Sequence, residues 1–148
     1  MVDSMGIEEK IIERLNALHK KVKAAALYGS FARGTQQIDS DIDMLVVSDE
    51  VNPRRHKRGK EIAAIKHSLA LDDPVDMLLL TTTECHSNFK NHNPLFLDIA
   101  WEGVILVDSD DFLKSLIEET KIYIYERKLK KLKDGWAFAV PDREAVLL

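Results

Sequence analysis

Residues 27–47 read LYGSFARGTQQIDSDIDMLVV, and this stretch decides the fold. An apolar run ends at Gly29-Ser30, and ten residues later Asp41-Ile42-Asp43 opens a second apolar run. Glycine lets the backbone turn tightly or approach a ligand closely, and short apolar runs bounded by turn residues indicate buried strands. The stretch therefore predicts a strand, a turn and a second strand that begins with two carboxylates.

Apolar spacing extends this prediction in both directions. Residues at helical spacing predict an amphipathic helix over Ile7–Val22, with Ser4 as its cap. Further along, the pattern predicts strands and helices in alternation, which indicates an α/β fold with helices packed on a sheet. The predicted strands are Ala24–Tyr28, Ile42–Val47, Val75–Leu80 and Val104–Val107, and the other predicted helices are Arg54–Leu71 and Pro94–Trp101. Residues 81–93 are polar and are expected to form a loop or a short irregular helix.

The last forty residues are harder to interpret. The segment Asp108–Lys133 begins with acidic residues and ends with lysines, an order that suits a helix macrodipole. However, Ile122-Tyr123-Ile124-Tyr125 alternates like a strand, so a helix, a helix followed by a strand, or two pieces all fit. Residues 1–107 are expected to form one domain, and residues 108–148 a helical extension that packs on it or binds a partner.

Composition excludes several classes of protein. The 148 residues are enough for one domain with a core, and 45% hydrophobic with 31% charged residues is ordinary for a globular protein. No apolar run is long enough to span a bilayer, no signal peptide is recognisable and Cys85 is the single cysteine, so a cytoplasmic protein is expected. A net charge of −4 argues against bulk binding of nucleic acid, which leaves a local patch such as the basic run Arg54–Lys60 as the alternative to a solvated face.

The candidate chemistry lies in three carboxylates. Residues two apart on a strand point to the same side, so Asp41 and Asp43 share a face. Neighbouring like charges are tolerated when a cation lies between them, and oxygen ligands without a nearby cysteine–histidine set favour Mg²⁺ or Mn²⁺. Asp76 interrupts an apolar run and could complete a three-carboxylate cluster that fits two metals, either by binding the second metal or by acting as a base on an attacking hydroxyl. The alternative for Asp76 is a residue that caps the turn before its strand.

Residues around the turn are candidates for binding phosphate. Gly29 allows close approach, Ser30 adds a hydroxyl donor, and Arg33 is near enough in sequence to balance phosphate charge. Ser40 completes the nucleotide-binding candidates. Asp39 is interpreted as a turn residue rather than a fourth ligand. Cys85, His86 and His92 have poor spacing for zinc, and the aromatic residues near the C-terminus are interpreted as packing or interface residues.

The pattern Gly29-Ser30-x10-Asp41-x-Asp43, followed by Val75-Asp76-Met77, resembles the polymerase-β-type nucleotidyltransferase superfamily. The chain is most similar to its minimal nucleotidyltransferase domains over Ile7–Val107. The resemblance implies a mixed sheet, binding of an NTP with Mg²⁺, and transfer of a nucleoside monophosphate with release of pyrophosphate. It implies that Gly29 and Ser30 contact phosphate, that Asp41 and Asp43 bind the metal, and that Asp76 is the third carboxylate.

Three functions follow as hypotheses. The first is a metal-dependent enzyme that transfers an NMP, with ATP as the expected donor, to a hydroxyl of a protein or small molecule. The second, also implied by the resemblance, is an antitoxin that binds a small helical RNase toxin or adds AMP to it. The third is an NTP-binding module without turnover. A homodimer remains open in each case.

Overall fold

The computed structural model describes residues 6–133, 135–138 and the backbone of residues 146–147. The predicted cap Ser4 lies outside these residues. The described helices are α1 (Ile7–Asn16), α2 (Gly29–Arg33), α3 (Gly59–Leu69), α4 (Thr82–Lys90), α5 (Pro94–Glu102) and α6 (Phe112–Glu126), with 3₁₀ turns at Arg55–Lys57 and Ser109–Asp111. The strands are β1 (Ala24–Tyr28), β2 (Ile42–Val47), β3 (Val75–Leu80), β4 (Val104–Asp108), β5 (Leu129–Leu132), β6 (Gly135–Phe138) and β7 (Val146–Leu147).

The first four strands form a mixed sheet, which confirms the predicted fold class. Their order is β3-β2-β1-β4, with β1 antiparallel to both of its neighbours and β2 parallel to β3. The parallel pair is joined through α3, because parallel strands need a long crossover connection. The strand predicted as Val104–Val107 is one residue longer, and the other three predicted strands have the observed bounds.

Both faces of this sheet are covered by helices. On one face, Ala26 and Leu45 pack against buried side chains of α4, α5 and α6. On the other, Leu27 and Met44 pack against α1 and α3. Every residue of β2 except Asp43 is buried, so the strand runs from a polar start into a core covered on both sides. No helix among the described residues is long and apolar enough to cross a membrane.

The C-terminal segment is a helix followed by strands, the second of the alternatives that the sequence left open. Helix α6 contributes Leu113 and Leu116 to the core under the sheet. Strands β5, β6 and β7 then form a small antiparallel sheet. This sheet is attached to α5 by Asp98, whose Oδ1 accepts a hydrogen bond from Trp136 Nε1 at 2.8 Å and pairs with Lys131 Nζ at 2.5 Å. The extension is therefore more than the helical segment predicted.

The helix predicted as Pro94–Trp101 is one residue longer, and two other predicted helices differ more from the observed ones. Helix α1 ends at Asn16, because Lys21 and Lys23 are held extended: the Lys21 backbone bonds Glu50 and Ser48, and Lys23 N–H bonds the Val47 carbonyl. The predicted Arg54–Leu71 helix is a 3₁₀ turn followed by α3.

The polar segment expected to be a loop forms the regular helix α4 instead. Thr81 and Glu84 form a capping box at its start, since each side chain accepts from the other's backbone N–H. Cys85 and Phe89 lie one turn apart and bury its inner side. Both signals are present in the sequence.

Candidate active site

Three polar side chains form a row across the sheet at the end where β1 finishes and β2 and β3 begin. Asp43 lies opposite Tyr28 in the antiparallel pair and beside Asp76 in the parallel pair. Side chains paired in register point to the same face. This is also the face that carries Leu45 toward the core. The structure therefore places Asp43 at the centre of the row, with Asp41 exposed two residues before it.

The glycine turn packs directly against the central carboxylate. Gly29 has φ +72°, a left-handed conformation, and an added Cβ would lie 2.2 Å from Asp43 Oδ2. Glycine thus serves two purposes here: it makes the turn and leaves space for Asp43. Ser30 follows in the first turn of α2 and is half-buried, and its carbonyl accepts from Thr35 N–H at 2.9 Å.

The row carries a perturbed electrostatic environment. Burial raises the pKa of the Asp43 carboxyl, and the negative charges of Asp76 and Asp41 raise it further, while Arg33 opposes them. Burial, with Asp43 and Asp76 beside it, raises the pKa of Tyr28 to about 12. The Tyr28 hydroxyl is therefore protonated at neutral pH and can only donate or accept hydrogen bonds, not act as an ionised base.

The donor set fits a hard divalent cation. Carboxylate oxygens are the ligands that Mg²⁺ and Mn²⁺ prefer. The mutual repulsion that raises the Asp43 pKa is also the repulsion that a bound cation relieves. In the described part of the chain, no group of three or more His, Cys, Asp or Glu side chains is already gathered into a metal-binding arrangement. The three-carboxylate cluster of Asp41, Asp43 and Asp76 accordingly stays a prediction.

The other two predicted phosphate residues are engaged in contacts of their own. Arg33 Nη1 lies 2.7 Å from Glu102 Oε1, while Arg33 remains close enough to lower the Asp43 pKa. Ser40 Oγ accepts a hydrogen bond from Gln37 N–H at 2.7 Å, and Ser40 N–H donates to the Gln37 carbonyl at 3.0 Å. Ser40 thus closes the turn between the two strands, and its hydroxyl hydrogen is not used in these contacts.

The basic run Arg54–Lys60 lies at the other end of the sheet. It follows the end of β2, whereas Asp43 lies at its beginning. Within the run, Arg58 is almost completely buried, and its guanidinium donates to the carbonyls of Asn52 and Leu79 and to the Glu84 carboxylate. Arg58 is therefore a structural cation, which the sequence did not reveal, and its exposed neighbours lie away from the carboxylates.

Two residues of the site escaped the sequence analysis. Tyr28 is the last residue of an apolar strand and looks like one more core side chain. Glu102 is separated from its partner Arg33 by 69 positions, and no local pattern joins them. The one available signal was a carboxylate at the end of a helix, a position where a negative charge is unfavourable without a cation.

Several known proteins are similar to this chain. A family model described as "Nucleotidyltransferase domain" matches residues 8–137. Two proteins of Methanocaldococcus jannaschii are similar, both named as candidate protein adenylyltransferases. One is 30% identical over 116 residues, 73% of this chain and 79% of that protein. The other is 59% identical over 104 residues, 70% of this chain and 78% of that protein.

Among solved structures, one described as a toxin–antitoxin with AMP-PNP is 25% identical, with a TM-score of 0.47, and the match covers 82% of this chain and 92% of that one. The family match spans most of the chain, including the turn, the three carboxylates and most of the C-terminal extension. The chain belongs to the nucleotidyltransferase domain family.

Proposed function

We propose that this protein transfers AMP from ATP to a hydroxyl group of another protein, with a divalent cation as cofactor. The observation that carries the proposal is the position of Asp43, packed against the Gly29 turn on one side and paired with Asp76 on the other. This arrangement would bring nucleotide phosphates and a cation to the same carboxylate. The choice of ATP and of a protein acceptor, rather than another NTP or a small molecule, follows the names of the two relatives.

Each residue has a role in this proposal. Asp41, Asp43 and Asp76 would hold Mg²⁺ or Mn²⁺, which when bound neutralises phosphate charge. The turn at Gly29 and Ser30 would bind the triphosphate, and Arg33 would contact it through the guanidinium nitrogens that Glu102 does not use. Ser40 would act indirectly, by closing the turn before β2.

The transfer step exchanges one phosphorus–oxygen bond for another. The acceptor oxygen attacks the α-phosphorus, the bond to the bridging oxygen of pyrophosphate breaks, and the acceptor proton leaves to a base. Asp76 fits two roles, as a further cation ligand or as that base. Positioning and charge neutralisation would supply most of the acceleration, as is usual in phosphoryl transfer.

The direct test uses labelled nucleotides. The protein is incubated with Mg²⁺ and α-labelled ATP, GTP, CTP or UTP in cognate lysate, and labelled acceptors are identified. Asp41→Asn combined with Asp43→Asn should abolish labelling and leave the protein folded, with no loss of stability, because the folded state disfavours the Asp43 charge. Asp39→Asn, in the same exposed loop, is the matched control and should label normally. Undiminished labelling by the folded double variant would refute the proposal.

A second candidate function is regulation of a helical partner protein, such as a small RNase toxin. It is favoured by apolar side chains left exposed on one side of α6, where Ile122 and Tyr125 are 56% and 85% exposed. We propose that residues 108–148 carry this docking surface while also packing on the domain. Co-purification with a helical protein encoded by a neighbouring gene, lost in an Ile122→Asp, Tyr125→Ala variant, would support it. Purification as a lone monomer or homodimer that modifies a small molecule would count against it.

A further inference from the structure

The ion pair between Arg33 and Glu102 joins the end of α2, which begins with the Gly29-Ser30 turn, to the end of helix α5. Arg33 Nη1 lies 2.7 Å from Glu102 Oε1, and the Glu102 side chain is only 14% exposed while that of Arg33 is 45% exposed. In the part of the chain that the structure describes, no second hydrogen-bond donor to Glu102 is found. A largely buried carboxylate with one cationic partner depends on that partner for its stability.

The position of Glu102 is otherwise unfavourable. It is the last residue of α5, where the helix macrodipole disfavours a negative charge. The chain is also tightly constrained there, because an added Cβ on Gly103 would lie 2.3 Å from the Ile99 carbonyl oxygen. One turn earlier, Asp98 anchors the same helix to Trp136 and Lys131. Helix α5 is thus held in place and presents to Arg33 a carboxylate at an unfavourable position, which suggests that the pair has a role beyond stability.

The geometry of the guanidinium group indicates what this role is. Arginine offers five N–H donors on a planar fork, and the hydrogen bond to Glu102 uses only Nη1. A long side chain held by one edge keeps its other edge available without the entropic cost of ordering it when a ligand binds. Arg33 lies one helical turn after Ser30, close enough to Asp43 for its charge to lower the pKa of that carboxyl.

We propose that Glu102 is a positioning residue of the nucleotide site, holding the Arg33 guanidinium ready for the phosphates. This inference rests on the proposed function, since Arg33 has a phosphate to bind only if the turn binds a nucleotide. Glu102 does not contact the ligand and acts entirely through Arg33. The cation is therefore oriented before binding rather than during it.

A double-mutant cycle tests the inference, with binding of MgATP and of magnesium tripolyphosphate measured by calorimetry. Glu102→Ala should weaken both ligands by about 2- to 12-fold, the range expected for one long side chain that must be ordered on binding. Arg33→Ala should weaken them at least as much. The double variant should bind no more weakly than Arg33→Ala alone, because Glu102 has no route to the ligand once Arg33 is gone.

Controls separate positioning from folding. Glu119→Ala removes another ion-paired glutamate, far along α6, and should bind normally. Glu102→Gln keeps an acceptor for Arg33 and should fall between the wild type and Glu102→Ala, and it replaces Glu102→Ala if that variant does not fold. Unchanged or tighter binding by the Glu102 variants overturns the inference, as do additive effects in the double variant. If the wild type binds neither ligand, the proposed function itself is wrong.

Discussion

Alanine substitutions at Gly29 and Gly34 separate two roles of Gly29: its left-handed backbone conformation and the space that it leaves for Asp43. Gly29 is the first residue of α2 and Gly34 directly follows the helix, and both have nearly the same positive φ, +72° and +73°. An alanine in this left-handed region costs about 1–2 kcal/mol, partly offset by lower entropy of the unfolded chain. We therefore expect Gly34→Ala to lose about 1 kcal/mol of stability, and Gly29→Ala to lose at least as much, because its Cβ must also displace Asp43.

Only one of the two alanines reaches a functional group. Around Gly34, an added Cβ would meet no atom within 4 Å, whereas at Gly29 it would lie 2.2 Å from Asp43 Oδ2. That separation is more than 1 Å shorter than the 3.4 Å at which ordinary contact begins, so the carboxylate must move. A displacement of about 1 Å in a reacting constellation costs about 100-fold in rate.

The assay compares the two variants directly. Urea unfolding gives the stability of each, and AMP transfer or MgATP binding gives its function. We expect Gly29→Ala to lose about 100-fold in transfer while Gly34→Ala stays close to the wild type. Equal activity of the two folded variants would refute the reasoning that Asp43 must keep its place against the turn.

Four further outcomes follow from contacts away from the turn. Arg58→Ala should cost about 3 kcal/mol in urea unfolding, because it removes a buried, multiply bonded cation. The hydrogen bond from Arg58 holds the pKa of Glu84 below its ordinary value of 4.5. The wild type should therefore be more stable than Glu84→Gln above pH 4.5, and urea unfolding at lower pH should show this difference disappear as Glu84 is protonated. Trp136→Phe should lose about 1.5 kcal/mol with its hydrogen bond to Asp98, by the same measurement. Burial raises the pKa of Cys85 to about 12, so the native protein should not react with a thiol reagent at pH 8, whereas the unfolded protein should.

The sequence predicted the centre of this fold because the relevant signals are local. Each strand of the four-stranded sheet is a short, mainly apolar run, and Gly29-Ser30, Asp41 and Asp43 all lie within the β1–β2 hairpin, where Tyr28 pairs with Asp43. The site outside that hairpin was less accessible. The pairing of Arg33 with Glu102 depends on how α5 crosses the sheet, which no spacing in the sequence specifies.

The sequence also did not predict the burial of Arg58, and the reason is physical. Arg58 sits among other basic residues that are exposed, so composition suggested a solvated or phosphate-binding face. Its burial is possible only because carbonyl oxygens from Asn52, Pro53 and Leu79 and the Glu84 carboxylate converge on one guanidinium. Such convergence is a property of tertiary structure and leaves no trace in a local pattern.

The buried arginine also bears on the carboxylates at the opposite end of the sheet. The row of side chains exists only in one register of β2 against β3: a slip by one residue would turn Asp76 to the other face, where Met77 is buried. That register is held at one end by the hydrogen bond from Ile42 N–H to the Pro74 carbonyl, and at the other by Ser48 N–H to the Leu80 carbonyl. Arg58 reinforces the second end, because it joins the Leu79 carbonyl to Glu84 in the helix that follows. The position of Asp76 beside Asp43 therefore depends on the whole sheet. Removal of the Arg58 side chain should displace these carboxylates, although Arg58 contacts neither of them.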